Sequence, residues 1–243
     1  MELSGKTALV TGGAKRIGRV IALELAKKGA GILLHYHQSE KEARETCKEI
    51  QALGVKCFPV KADLSVAREI LTMVSEVEKI SSNIDILVNS ASLYYKTPVE
   101  TVTGSDWDKL MDANLKGPFI LSTEIGRRMA KKNGGKIINV ADWSGSRPYK
   151  DYSAYCTSKG GLITLTKALA RDLAPKVQVN AVAPGPVLAP PDMSEKEKEA
   201  IAKTTALGRW GKPEDVAHAV TFLIENDFIN GIVLVVDGGR SIV

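Results

Sequence analysis

Short apolar runs alternate with longer amphipathic stretches along the whole chain. The apolar runs are Thr7–Val10, Gly31–His35, Val55–Val60, Ile84–Asn89, Lys136–Val140, Gln178–Ala183 and Ile232–Val236. Several are apolar at nearly every position rather than at alternate ones, which is the pattern of a strand covered on both faces. Between them lie six amphipathic stretches: Ile17–Lys28, Ser39–Leu53, Ser65–Ile80, Asn114–Asn133, Tyr152–Ala174 and Pro213–Ile224. Apolar side chains at helical spacing predict a helix for each. Ser39 with Glu42 reads as a capping box for the second helix. Strand–helix alternation requires crossover connections, hence a parallel sheet with helices on both faces. The expectation is one doubly wound α/β domain over residues 1–243, with about seven strands. Its one long irregular region is Pro184–Thr205, where Pro184, Pro186, Pro190 and Pro191 precede a charged stretch. A loop of that length in a compact domain suggests a substrate lid.

Composition narrows the class without naming a function. Of 243 residues, 44% are hydrophobic and 25% charged, which excludes a disordered, collagen-like or coiled-coil chain. No apolar run approaches the ~18 residues that span a bilayer, and Met1–Lys6 holds no apolar signal core. Cys47, Cys57 and Cys156 are odd in number and irregularly spaced, so neither a disulfide framework nor a zinc site is indicated. A cytoplasmic protein without a membrane partner is expected. The net charge of +5 is too small to choose among acidic partners. Arg127, Arg128, Lys131, Lys132 and Lys136 cluster where a helix is expected to end, and there cations offset the helix dipole. No base-stacking or groove-reading motif appears, so a nucleic-acid partner is not expected.

The candidate chemistry sits just after the strands, where open α/β sheets bind ligands. Thr11-Gly12-Gly13-Ala14-Lys15-Arg16-Ile17-Gly18 joins the first strand to the first helix. Glycines there let the backbone approach a pyrophosphate, and the helix N-terminus supplies free N–H groups. The second strand ends in His35-Tyr36-His37-Gln38-Ser39, without the carboxylate usual at NAD sites. Lys15, Arg16, His35, His37 and Ser39 could instead surround a 2′-phosphate, so NADPH is expected rather than NADH. The two histidines have no partner spaced for a metal.

Tyr155 and Lys159 are four apart and fall on one helix face. A phenol, ordinarily with a pKa near 10, serves as an acid–base group when a neighbouring cation tunes it. At this point the chain resembles the short-chain dehydrogenase/reductase family over essentially its whole length. The resemblance rests on Thr11–Gly18, Asp63-Leu64, Asn89-Ser90-Ala91-Ser92, Asn114, Tyr155 with Lys159, Pro184-Gly185 and Val236-Asp237-Gly238-Gly239. It implies a Rossmann-type fold, with Tyr155, Lys159, Asp142 and Asn114 as the catalytic group. Asn114 would hold a relay water, Lys159 would bind the nicotinamide ribose, and Asp63 would contact adenine. Cofactor contacts are further implied at Gly12, Ile17, Gly18, Tyr36, Leu64, Asn89, Ser90, Ala91, Pro184, Gly185 and Val187. The family's usual homotetramer would form through the helices expected at Asn114–Asn133 and Tyr152–Ala174.

Two departures from the common family pattern point to one branch. Arg16 replaces a glycine of the loop, and Asp142 stands thirteen residues before Tyr155, where the family keeps a serine. Ser144 and Ser146 have the wrong spacing to be that serine. Both departures match the pteridine reductases, as does the His35–Ser39 run. Tyr94 fills the position whose aromatic ring stacks on the pterin in that branch, although a loop tyrosine could also simply cover the sheet edge. Substrate contacts are therefore expected at Tyr94, Asp142, Trp143, Tyr155 and Arg16, with Trp210 a further pocket candidate. The Ala183–Met193 segment and the Asp237–Ser241 ending resemble bacterial members. The expected activity is NADPH-dependent reduction of a pterin, dihydropterin or dihydrofolate, with Tyr155 as proton donor. The alternative is a carbonyl reductase acting on 3-oxoacyl thioesters, because Leu207–Asp215 resembles acyl carrier protein reductases. A cofactor-sensing binding protein without catalysis is a more distant reading.

Overall fold

A computed structural model describes residues 1–190 and 193–243. Seven parallel strands form one sheet: β1 (Thr7–Val10), β2 (Gly31–Tyr36), β3 (Cys57–Lys61), β4 (Ile86–Asn89), β5 (Gly135–Val140), β6 (Val177–Pro184) and β7 (Val233–Val236). Their order is β3-β2-β1-β4-β5-β6-β7, so the winding direction reverses between β1 and β4. Every residue of β4 and β5 is buried, as the apolar runs require of central strands.

The pleat of each strand feeds two cores. Ile32, Leu34, Ile86, Val88 and Ile138 pack on α1 (Arg16–Lys27), α2 (Glu40–Ala52) and α8 (Pro213–Glu225) through Ile21, Leu25, Ile50, Val220 and Leu223. Leu9, Leu33, Leu87, Ile137 and Val179 face the other way. They pack on α3 (Ala67–Ile80), α5 (Gly117–Lys131) and α6 (Ser153–Asp172). Alternate residues of one apolar strand thus serve opposite layers.

The structure adds short helical elements to the expected set. The helix expected at Asn114–Asn133 begins with a π-helical turn, Asp112–Lys116, preceded by α4 (Gly104–Met111). A reciprocal cap between Thr103 and Asp106 starts α4. Within Pro184–Thr205, expected to be irregular, α7 (Glu195–Ala202) is capped in the same way by Ser194 and Glu197. Pro191, part of that expected lid, lies outside the described residues.

The Ser39–Glu42 capping box does not form. Ser39 makes no side-chain cap bond, and Glu42 instead pairs with Lys15 at 2.7 Å. Cys47 and Cys57 are buried as free thiols with their sulfurs 2.7 Å apart, between α2 and β3. Among the described residues, no helix is long and apolar enough to cross a membrane.

Candidate active site

The loop from β1 to α1 is shaped by close approaches that only glycine permits. Gly12 has φ +64°, and a β-carbon there would stand 2.9 Å from Ala91 Cα. A β-carbon on Gly18 would lie 2.3 Å from the Gly12 carbonyl oxygen. Beside them, the Thr11 hydroxyl accepts from the Ser90 and Ala91 amides, which ties β1 to the end of β4. Arg16 takes φ +53°. Glycine usually fills this position because the left-handed region strains a side chain. The Arg16 guanidinium donates to the Leu188 carbonyl at 3.1 Å, bridging the loop to the segment after β6. In that segment Gly185 is needed too, because a β-carbon would meet Asp237 at 2.6 Å. Val187 is buried there.

A cavity of about 220 Å³ opens beside the loop, lined by Gly12, Ala14, Lys15, Tyr36, His37, Gln38 and Ser39. It carries the half-exposed Lys15 ammonium, and on the same side His37 lies 3.6 Å from Asp63. Asp63 itself accepts from the Ser65 amide and hydroxyl.

One expected member of this group is elsewhere. His35 is 2% exposed and turned beneath the glycine loop, with Nδ1 on the Gly12 amide and Nε2 on the Ala62 carbonyl. Burial pushes its pKa down to about 4. Its ring is therefore neutral at neutral pH and does not face the groove, so it is not a 2′-phosphate ligand. The reason is its place in the ladder: His35 still pairs with Val60, whereas His37 lies past the end of β2.

At the far side of the switch point, Tyr155, Lys159, Asp142 and Asn114 converge. Asp142 leaves β5 in extended conformation, and its carboxylate is held by the Ser144 amide at 2.8 Å. The other carboxylate oxygen accepts from the Tyr155 hydroxyl at 2.9 Å. Burial, then the Asp142 charge, pushes the phenol well above its ordinary value. The expected downward tuning by a cation is thus overridden, and Tyr155 is held protonated. Lys159 stands one turn along α6, its ammonium 5.8 Å from the Tyr155 ring and 3.0 Å from the Val140 carbonyl. Burial lowers its pKa to about 8, partly opposed by Asp142. Asn114 sits in the π-helical turn, where its side chain pairs with both the amide and the carbonyl of Leu93. It also donates to the Ser158 hydroxyl. Asn89, at the end of β4, links Ser122 and Asn139 beneath this group.

An aromatic wall flanks Tyr155. Tyr94, 49% exposed, stacks on Tyr152 at 4.8 Å and meets the edge of Tyr155 at 4.9 Å. Tyr149 bridges Tyr152 to Trp143. Trp143 lies between Tyr149 and the Arg240 guanidinium, 5.0 Å from its ring, which fixes it as backing to the Asp142 turn. Trp210 donates to the Lys198 carbonyl and docks α7. Tyr149 and Tyr152 were not singled out from the sequence, although Tyr149, Tyr152 and Tyr155 recur every three residues ahead of one helix face.

A family model described as short chain dehydrogenase matches residues 6–201. The chain belongs to the short-chain dehydrogenase/reductase family. Among curated relatives, a 3-oxoacyl-[acyl-carrier-protein] reductase of Staphylococcus aureus is 35% identical over 241 residues, covering 96% of this chain and 97% of that one. Among solved structures, a dehydrogenase/reductase from Sinorhizobium meliloti superposes with a TM-score of 0.92 at 35% identity, covering 98% and 97% of the two chains. A blue fluorescent protein from a metagenomic library, solved in complex with NADPH, gives 0.92 at 30% identity, covering 99% and 100%. This short-chain reductase is thus an oxidoreductase built for a nicotinamide cofactor and a small-molecule substrate. The curated relative is named for 3-oxoacyl-[acyl-carrier-protein] reduction, so it lends no support to the expected pterin.

Proposed function

We propose that this protein reduces a pteridine (a dihydropterin, pterin or dihydrofolate) with NADPH. The observation that carries the proposal is the Asp142 carboxylate 2.9 Å from the Tyr155 hydroxyl, at the position where the family usually keeps serine. Carbonyl reduction develops an alkoxide, and a neutral donor best steadies it. Two like charges about 4 Å apart repel by roughly 4 kcal/mol at the effective dielectric of a partly buried site. That is about a thousandfold in rate against an alkoxide. Reduction of a C=N bond develops no alkoxide and calls for a proton on nitrogen, which a carboxylate-held phenol can deliver.

The residues fit the cofactor. The Gly12–Gly18 cradle admits a pyrophosphate, and the cavity with Lys15, His37 and Ser39 supplies basic and polar groups for a 2′-phosphate. NADPH, when bound, supplies the hydride. Tyr155 Oη gives its proton to a substrate ring nitrogen. Asp142 orients that hydroxyl, the Lys159 ammonium balances the phenolate left behind, and Asn114 completes the relay to solvent. Tyr94 offers a flat face to a heteroaromatic ring. Homotetramer assembly and a cytoplasmic location go with this reading. Phe119 on α5, 48% exposed, supports an interface on that helix.

The second reading, reduction of a 3-oxoacyl thioester, is supported by the name of the Staphylococcus aureus relative. NADPH consumption with dihydrobiopterin, dihydrofolate and acetoacetyl-CoA side by side separates the two. Turnover on the pterin or folate is expected, and turnover on the thioester alone would overturn the pteridine proposal.

A further inference from the structure

His35 is a buried titratable group that the proposed chemistry leaves unused, yet both of its ring nitrogens are engaged. Nε2 faces the Ala62 carbonyl at 3.1 Å, and a carbonyl only accepts, so Nε2 carries the hydrogen. Nδ1 is then the acceptor, and the Gly12 amide donates to it at 3.1 Å. The backbone carbonyl of the same residue accepts from the Gly13 amide at 3.0 Å. Two successive amides of the glycine loop are therefore turned inward onto one residue. On its other side, Gly12 is wedged against Ala91. The Gly12 and Gly13 amides are thus withdrawn from any bound anion, which leaves the free amides at the start of α1 to meet it. The Ala62 contact extends the link to the end of β3, directly before Asp63.

We infer that His35 is a positioning residue, whose imidazole fixes the glycine loop from below and presets the anion-binding end of α1. The inference rests on the reading of this loop as the NADPH site. It assigns His35 to affinity for the dinucleotide rather than to the proton chemistry. Leucine at this position would fill much of the space but leave the Gly12 amide without an acceptor, so the loop would lose its preset form. Asparagine would restore one acceptor, its side-chain oxygen, without the full link to Ala62.

The test is the NADPH dissociation constant, read from cofactor fluorescence with no substrate present, together with kcat at saturating NADPH. His35→Leu should weaken NADPH binding about tenfold or more, with kcat within about twofold of wild type. His35→Asn should fall between the two. A His35→Leu protein that folds and binds NADPH as tightly as wild type would overturn this inference alone. Wild-type protein that binds no NADPH would overturn the dinucleotide reading and this inference with it. Should His35→Leu fail to fold, long-range ¹⁵N–¹H spectra of the wild-type imidazole decide. The bare nitrogen should be Nδ1, and a protonated Nδ1 would overturn the inference.

Discussion

Tyr155 and Lys159 carry opposite burdens from the same burial. The phenol is held protonated, and the ammonium, 3% exposed, is driven toward neutrality with a pKa of about 8. In an unfolded chain a lysine titrates near 10.4, so between pH 8 and 10.4 the unfolded state binds more protons and stability rises with pH. Below pH 8 the buried charge opposes folding in full, by about 3 kcal/mol. Lys159→Met should therefore melt roughly 5 °C or more above wild type at pH 7, and the gap should close toward pH 10. Thermal melts at the two pH values check this, and a gap that does not narrow would contradict it. Tyr155 and Lys159 were legible in the sequence because one helix turn fixes their spacing, and Asp142 because the family resemblance marks the position thirteen residues before Tyr155. His35 was misread because the contacts that turn its ring inward, to the Gly12 amide and the Ala62 carbonyl, come from residues far along the chain and leave no mark on the local sequence. The upward shift of Tyr155 was also hidden, since it needs the burial of the phenol first and then its distance to Asp142.

At the scale of elements, the site depends on a turn lying directly on a helix. The 3₁₀ turn Trp143–Gly145 rests on α6, and a β-carbon on Gly145 would stand 2.9 Å from Gly160 N and from the Lys159 carbonyl carbon. Gly145→Ala should lower stability by about 1–3 kcal/mol, a fall in Tm of roughly 3–10 °C. It should also reduce turnover by moving Asp142 off Tyr155. Gly104→Ala at the start of α4, with no atom within 4 Å of the new carbon, is the control. Thermal melts of both variants decide, and equal behaviour would contradict the packing argument. The central strands were readable from their unbroken apolar runs. By contrast, α4 and α7 are short and largely polar, and their only signals were the Thr103–Asp106 and Ser194–Glu197 spacings. The same logic misled at Ser39, because Lys15 from another element takes Glu42. A π-helical turn has no sequence period of its own, so the local fold that seats Asn114 could not be foreseen.

For the whole molecule, the reversal of strand order between β1 and β4 brings the glycine loop, the exit of β4 and the aromatic wall to one edge. Strand–helix alternation made the doubly wound parallel sheet legible at the outset, but neither the strand order nor the aromatic wall. What covers the outer faces was not legible either, because apolar side chains on a helix read alike whether they meet the core or a partner. Phe119 shows the difference, being 48% exposed on a helix whose Leu121 and Ile125 are fully buried. Light scattering should give about four times the chain mass of 26.1 kDa, and Phe119→Lys should shift the population to smaller species. A wild-type monomer would contradict the tetramer. The proposed substrate preference turns on the carboxylate at position 142. Its most direct test is the ratio of kcat/KM for dihydrobiopterin to that for acetoacetyl-CoA, in wild type and in Asp142→Ser. Wild type should favour the pterin, and the substitution should lower the ratio about a hundredfold or more. A ratio that is unchanged, or that rises, would contradict it.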